Sequence, residues 1–468
     1  MEEEPERRAG VPGEGERRDA GAVIAIVPPA LSLPDKATAP FRPAAVEGSI
    51  AVSTAAGSRW RRGLRFVGPG LLVAVGYMDP GNWATDIAAG SGFGFDLLFV
   101  VLFSSVAAML LQSLALRLGI ASGLDLAQAC RARYSRGVSL GLWALAELAI
   151  LATDIAEVLG GALAIKLLIG LPLWAGVLLT GFDMLLVLGL KGRGFRQVEA
   201  IIAALIGTIA LCFLIELVIV PPDGAALAAG LLPDVTRLAR PGALAVAIGI
   251  VGATVMPHNL YLHSAIVRTR AIPEDEAGKR AAIRLANWDS AAALLIAGVI
   301  NGAILTLAAQ AFHMTGHGAV TTIDGAYRLL DPITGAGAAV LFFGIALLAS
   351  GQSSTFTGTI AGQVVLEGFL DLRIPCWLRR LITRAIAILP ALAGVLIWSD
   401  EGVGPLLVLT QILLSLQLPF AVWPLIRASG DPALMGALPA PRRIRALAWI
   451  IFAAIVGANL WLIGTFFG

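Results

Sequence analysis

Eleven long apolar runs dominate this chain, at about 66–90, 97–118, 138–169, 172–190, 197–220, 242–267, 290–312, 336–367, 382–399, 404–426 and 446–467. A bilayer core about 30 Å thick is crossed by about 20 helical residues. Lipid offers the backbone no hydrogen bonds, so segments of this kind span as helices. An all-α membrane protein with eleven transmembrane helices is therefore expected. Composition agrees, with 57% apolar and 14% charged residues and a mean hydropathy of +0.82. A soluble domain carries about 25% charged residues, and this chain lacks the polar material to coat a water-facing surface. A formal net charge of +2 gives no electrostatic case for a nucleic-acid partner. Cys130, Cys212 and Cys376 form no Cys-x-x-Cys pair, so neither a disulfide framework nor a zinc site follows.

The basic residues set an orientation. With the N-terminus in the cytoplasm, 24 of the 34 Lys and Arg residues fall inside, in clusters about Arg59, Arg131, Lys191, Arg280, Arg380 and Arg443. Four fall outside, Lys166, Arg237, Arg240 and Arg328, and the other six lie in the N-terminal tail. Every loop obeys the positive-inside rule, which also supports the span count. The reading is a multi-pass protein of the cell (inner) membrane, N-terminus cytoplasmic and C-terminus outside. Residues 1–58 mix Glu, Arg, Pro, Gly and Ala without a sustained period and read as a disordered cytoplasmic tail. Gly21–Val27 is too short and too acidic in its approach for a secretory signal.

Two spans are interrupted near their middles. The first is cut by Asp79-Pro80-Gly81-Asn82 and the sixth by Met256-Pro257-His258. Each Pro removes a backbone donor and leaves preceding carbonyls without a helical partner. Five helices separate the cuts, so the second set of five enters from the opposite side of the membrane. That is the layout of an inverted repeat, about 66–220 and 242–427, whose discontinuous helices meet around a midplane site. The remaining helix, 446–467, is extra, and the whole of 59–468 is one transmembrane domain.

Asp79 offers a hard anionic oxygen, Asn82 an amide oxygen one turn later, and Met256 a soft thioether. Gly76 and Ala253 lie three residues before Asp79 and Met256, where unwinding frees carbonyls. Mixed oxygen and sulfur suits a transition-metal cation better than Mg²⁺ or Ca²⁺, which favour oxygen throughout. Met256 as plain packing is an equally open reading.

Asp79-Pro80-Gly81-Asn82-Trp83-Ala84-Thr85-Asp86 and Met256-Pro257-His258-Asn259-Leu260-Tyr261-Leu262-His263 resemble the paired signature of the Nramp family of metal ion transporters. The resemblance runs from about residue 60 to the C-terminus. It includes Thr153-Asp154-Ile155-Ala156-Glu157, Gly351 through Gln363, and Gln411 through Phe420. It implies a leucine-transporter-like fold and proton-coupled symport of Mn²⁺ and Fe²⁺ into the cytoplasm, with no cofactor. The implied metal ligands are the side chains of Asp79, Asn82 and Met256 and the carbonyls of Gly76 and Ala253, with Gln411 in some conformations. The family often has Ala at position 76. The implied proton route is Asp79, His258, Asp154, Glu157 and Arg384.

Ionisable groups inside spans are functional by default. Asp154 and Glu157 share a helix face, with Glu147 two turns earlier, an arrangement suited to a proton wire or, for Glu147, to a structural hydrogen bond. His258 directly follows the second break and can exchange a proton near neutral pH. His263 lies about 140° further round that helix, fit for packing or for a proton role. Gln112 and Asn301 resemble pathway residues, with interhelical hydrogen bonds as the other reading. His313 and His317 form a weak i, i+4 pair in a loop.

Three rivals are weighed against this reading. A same-fold amino-acid carrier would have its substrate carboxylate repelled by Asp79. An intramembrane hydrolase lacks His-Glu-x-x-His and a nucleophile elbow, so the chain is expected not to be an enzyme. A cation channel is the third. The expected partners are divalent metal ions, protons and the lipid bilayer.

Overall fold

The computed structural model describes residues 43, 46–51, 66–183, 195–316, 323–326, 337–398 and 402–467, all within a unit of residues 35–468. A helical segment falls on each apolar run. The first span is broken into α1 (Pro69–Gly76) and α2 (Pro80–Phe93). The second is α3 (Leu98–Ser122), joined through the short α4 (Leu126–Arg133) to the third, α5 (Arg136–Ile169). The described part of the fourth is α6 (Leu173–Thr180) with a 3₁₀ turn to Asp183; its expected end at 190 lies outside the described residues. The fifth is α7 (Phe195–Ile219), followed by the connector α8 (Gly224–Gly230). The sixth is broken into α9 (Ala243–Thr254) and α10 (Pro257–Ile266). Then come α11 (Glu276–Ala308), α12 (Gly337–Leu370), α13 (Cys376–Trp398), α14 (Val403–Ser429), the single turn α15 (Pro432–Met435) and α16 (Arg442–Phe467). Among the described residues, eight segments are long and apolar enough to cross a membrane by length and composition alone.

Two boundaries move in an informative way. The seventh span starts at Glu276 rather than 290, because Asp275 caps the helix by accepting from the Gly278 amide at 3.1 Å and an amphipathic stretch carries the helix past its apolar run. The ninth starts at Cys376 rather than 382. Arg379, Arg380 and Arg384, counted above as loop charges, are therefore side chains of α13, exposed by only 5%, 1% and 2%.

Small residues let the elements around the breaks approach closely. A Cβ on Gly160 of α5 would lie 2.1 Å from Cβ of Pro80, so the third span meets the first break backbone to ring. Trp83, fully buried on α2, packs its ring against Phe213 of α7 at 4.8 Å and Phe343 of α12 at 5.1 Å. In α14, Pro419 frees the Ser415 carbonyl. Asn459 of α16 answers it, donating through Nδ2 at 2.8 Å while Ser415 Oγ donates to Asn459 Oδ1 at 2.9 Å, which ties the extra helix to the tenth span.

Within the stretch read as an unstructured tail, Ile50–Ala51 form a strand, β1, paired in parallel with Arg270–Ala271, β2, after the sixth span. Glu47 accepts from Arg268 Nε at 3.0 Å and Nη2 at 2.8 and 2.9 Å, and the Gly48 amide donates to Arg268 O at 2.9 Å. The rest of the tail, apart from 43, 46 and 49, lies outside the described residues. Glu47 is half exposed, so its pair is worth at most about 1 kcal/mol. Glu47→Lys should nonetheless set like charges in contact and speed proteolysis between residues 43 and 51 while the spans stay intact. Unchanged cleavage would show that the backbone pairing holds alone.

Candidate metal centre and its buried acids

Both interruptions are true helix ends with new starts. After α1 stops at Gly76, Asp79 takes an extended conformation and caps α2, its Oδ1 accepting from the Asn82 amide at 2.8 Å. Pro80 then occupies the first helical position, where its missing N–H costs nothing. In the sixth span Met256 is the cap residue and Pro257 starts α10. Carbonyls freed at the first break find side chains: Tyr77 O accepts from Asn301 Nδ2 at 2.8 Å and Met78 O from Ser350 Oγ at 2.5 Å.

The two breaks are drawn together by α14 and α10. The Gln411 side chain occupies the space beside Gly81, where a Cβ would lie 1.9 Å from Nε2. The Gln411 carbonyl lies 2.0 Å from where a Cβ on Gly252 would be, next to Ala253. Asn259 of α10 lies against Gly76 in the same way. Met256 packs with Ala149 and Ala152 of α5 and Leu414 of α14. Asp79, Asn82, Ala253, Met256 and Gln411 are all at most 1% exposed, and Gly76 is buried.

Within this enclosure Asp79 Oδ2, Asn82 Oδ1 and Gln411 Oε1 have no hydrogen-bond partner. A buried orphan acceptor costs about 1–3 kcal/mol, and more when charged. Two orphaned oxygens at the start of α2 and a third on the α14 side chain packed beside Gly81 are acceptors of the kind a cation satisfies. Among the described residues no group of three or more His, Cys, Asp or Glu could hold a metal. Asp79 carries the one carboxylate among the candidate ligands, so a cation held by them would meet one anionic oxygen and otherwise neutral donors, a weak set from which release is feasible.

The acids of the third span are paired with the ninth. Arg380, 1% exposed, reaches both Asp154, through Nη1, and Glu157, through Nη2 at 2.8 Å. Arg384 donates to the Asp154 carbonyl at 3.2 Å and Thr355 Oγ1 at 3.2 Å, with Glu157 at 3.5 Å. Arg379 donates to Glu147 at 2.8 and 3.1 Å. Sequence reasoning singled out Arg384 and missed Arg379 and Arg380. The one trace of them in the sequence was three basic residues in the amphipathic start of the ninth span; that they are buried shows only in the fold. His258 is buried, with no partner on Nδ1. His263 Nδ1 shares a hydrogen bond with Gln112 Oε1 at 2.9 Å, and Gln112 Nε2 contacts the Tyr77 hydroxyl at 2.6 Å. Gln112, His263 and Asn301 thus meet around Tyr77, which was not among the expected residues. His313 binds the Ser91 carbonyl at 2.9 Å, while His317 lies outside the described residues.

At the far end of α1, Asp289 accepts from the Gly68 and Gly70 amides at 3.3 and 2.7 Å. Arg270 donates to Phe66 O at 3.1 Å, Val67 O at 2.9 Å and Glu199 Oε1 at 2.8 Å. The start of the first span is thereby tied to the fifth span, the seventh span and the strand after the sixth.

A family model described as natural resistance-associated macrophage protein-like matches residues 70–465. The chain belongs to the Nramp family. It is 59% identical to divalent metal cation transporter MntH 1 of Pseudomonas aeruginosa over 437 residues, covering 93% of this chain and 99% of that protein. It is 56% identical to MntH of Ralstonia nicotianae, covering 92% and 98%. Among solved structures, the Eremococcus coleocola manganese transporter superposes with a TM-score of 0.83 at 40% identity, covering 90% of this Nramp chain and 91% of that one. The nucleobase-cation-symport-1 transporter Mhp1 superposes with a TM-score of 0.57 at 16% identity, covering 93% and 97%, which shows a shared leucine-transporter-like fold.

Proposed function

We propose that this chain carries Mn²⁺ and Fe²⁺ with protons into the cytoplasm across the inner membrane by alternating access. The observation that carries the reading is the trio of orphaned buried oxygens on Asp79, Asn82 and Gln411 between the two breaks. The names of the MntH relatives and the manganese transporter support the substrate class. In this reading the Asp79 carboxylate, the Asn82 and Gln411 amides, the Met256 thioether and the Gly76 and Ala253 carbonyls hold the ion. The thioether disfavours Mg²⁺, which binds hard oxygens in a near-ideal octahedron. The end of the bundle with Arg270 faces the cytoplasm, and the ties from Asp289 and Arg270 to the start of α1 hold that side shut. Inward release breaks them.

Protons leave by a separate route, from Asp79 past His258 to Asp154 and Glu157 and along the arginines of α13. Segregating the paths lets the buried ion pairs pass a proton without exposing the metal to competing carboxylates. At 100 mV a divalent ion moving inward gains about 4.6 kcal/mol, and a proton moving with it adds to that drive.

Purified protein in liposomes should take up Mn²⁺ saturably and acidify the lumen when the outside is acidic, with neither effect from Mg²⁺. Absence of Mn²⁺ uptake refutes the substrate, and uptake without acidification refutes the coupling.

A further inference from the structure

Asn259 lies two residues beyond Pro257, fully buried, and no role is assigned to it above. Its Nδ2 is 3.7 Å from Met256 Sδ, an N–H donor on a thioether. The same atom fills the space beside Gly76, where a Cβ would lie 2.3 Å from it. Its Oδ1 has no partner. One carboxamide thus touches the thioether of the second break and, in this conformation, fills the space a Cβ at position 76 would take. Donation to sulfur engages one lone pair, lowers the donor strength left for a metal and fixes the direction of the other. Soft cations depend on sulfur more than Mn²⁺ does.

We propose that Asn259 is a positioning residue that sets the softness of the metal site, with the glycine at position 76 providing the room it needs. This rests on the metal-site reading given above. By engaging the Met256 sulfur, the amide disfavours soft divalent ions such as Cd²⁺ relative to Mn²⁺. Gly76 and Asn259 act as a matched pair: a methyl at 76 displaces the amide, and loss of the amide leaves the sulfur unrestrained.

The test is competition between Cd²⁺ and Mn²⁺ for the full-length protein, read both as equilibrium binding in detergent and as uptake into proteoliposomes. Asn259→Leu should raise the preference for Cd²⁺ about three- to tenfold, the range expected for one hydrogen bond. Gly76→Ala, which leaves Asn259 in the chain, should shift it in the same direction and keeps the proposal testable where Asn259→Leu does not fold. In a Met256→Ala background Asn259→Leu should leave the ratio unchanged, since there is no sulfur to act through. An unchanged or lowered Cd²⁺ preference in both single variants overturns the proposal, as does a shift that persists without Met256. If Asp79→Asn also keeps full metal binding, the metal-site reading itself has failed; if Asp79→Asn abolishes binding while the ratios stay put, only the role of Asn259 falls.

Discussion

Asp79→Asn should abolish measurable Mn²⁺ uptake while leaving the protein folded. The substitution separates two duties of one side chain. Asp79 caps α2 through Oδ1 and keeps Oδ2 buried with no hydrogen-bond partner. Asn caps a helix about as well as Asp, so the start of α2 survives and the melting temperature in detergent stays near that of the parent. What is lost is the one anionic oxygen among the candidate ligands. Removing one partner of a buried charge pair costs about 3–5 kcal/mol, which is roughly two to four orders of magnitude in metal affinity. Asp79→Ala loses both duties and should fall in stability as well, by about 0.5–2 kcal/mol for the cap. Radiotracer uptake beside a thermal melt reads the two effects apart. Near-normal uptake by the Asn variant would remove Asp79 from the ligand set.

The spans and the two breaks were legible in the sequence because lipid imposes a strict rule on backbone polarity, and Asp-Pro-Gly-Asn or Met-Pro-His in an apolar run violates it openly. The candidate ligands follow from that violation. Less visible was anything decided by partners distant in sequence. Arg380 reads locally as one of several loop charges at the start of the ninth span. Its position between Asp154 and Glu157 depends on how α13 packs on α5, and no periodicity within either helix encodes that. Asn259 looks like one more polar residue of a motif, yet its meaning lies in Gly76, across the break. The strand at Ile50–Ala51 was missed for a related reason: two residues carry no period, and its partner is 220 residues away. Local chemistry marked where the chain departs from a plain helix bundle, while the arginines that compensate the buried acids had to be found in three dimensions.

Those arginines predict the second large effect. Arg380→Gln leaves Asp154 and Glu157, one turn apart and both at most 2% exposed, without the guanidinium that reaches each of them. Breaking a buried ion pair from one side costs about 3–5 kcal/mol, so the variant should melt well below the parent or fail to accumulate. Arg384→Gln should cost less through Glu157, which Arg384 reaches at 3.5 Å against 2.8 Å for Arg380. The double variant Asp154→Asn with Arg380→Gln removes one charge of each sign and should regain much of the lost stability, since contacting residues in one network do not add. Proton movement should remain lost in the double variant, because the acid and the cation it would pass along are both gone. A thermal melt thus reports the rescue and a lumenal pH dye reports the loss. Were the double variant to acidify the lumen as the parent does, the Asp154–Arg380 pair would be a structural tie and protons would cross by another route.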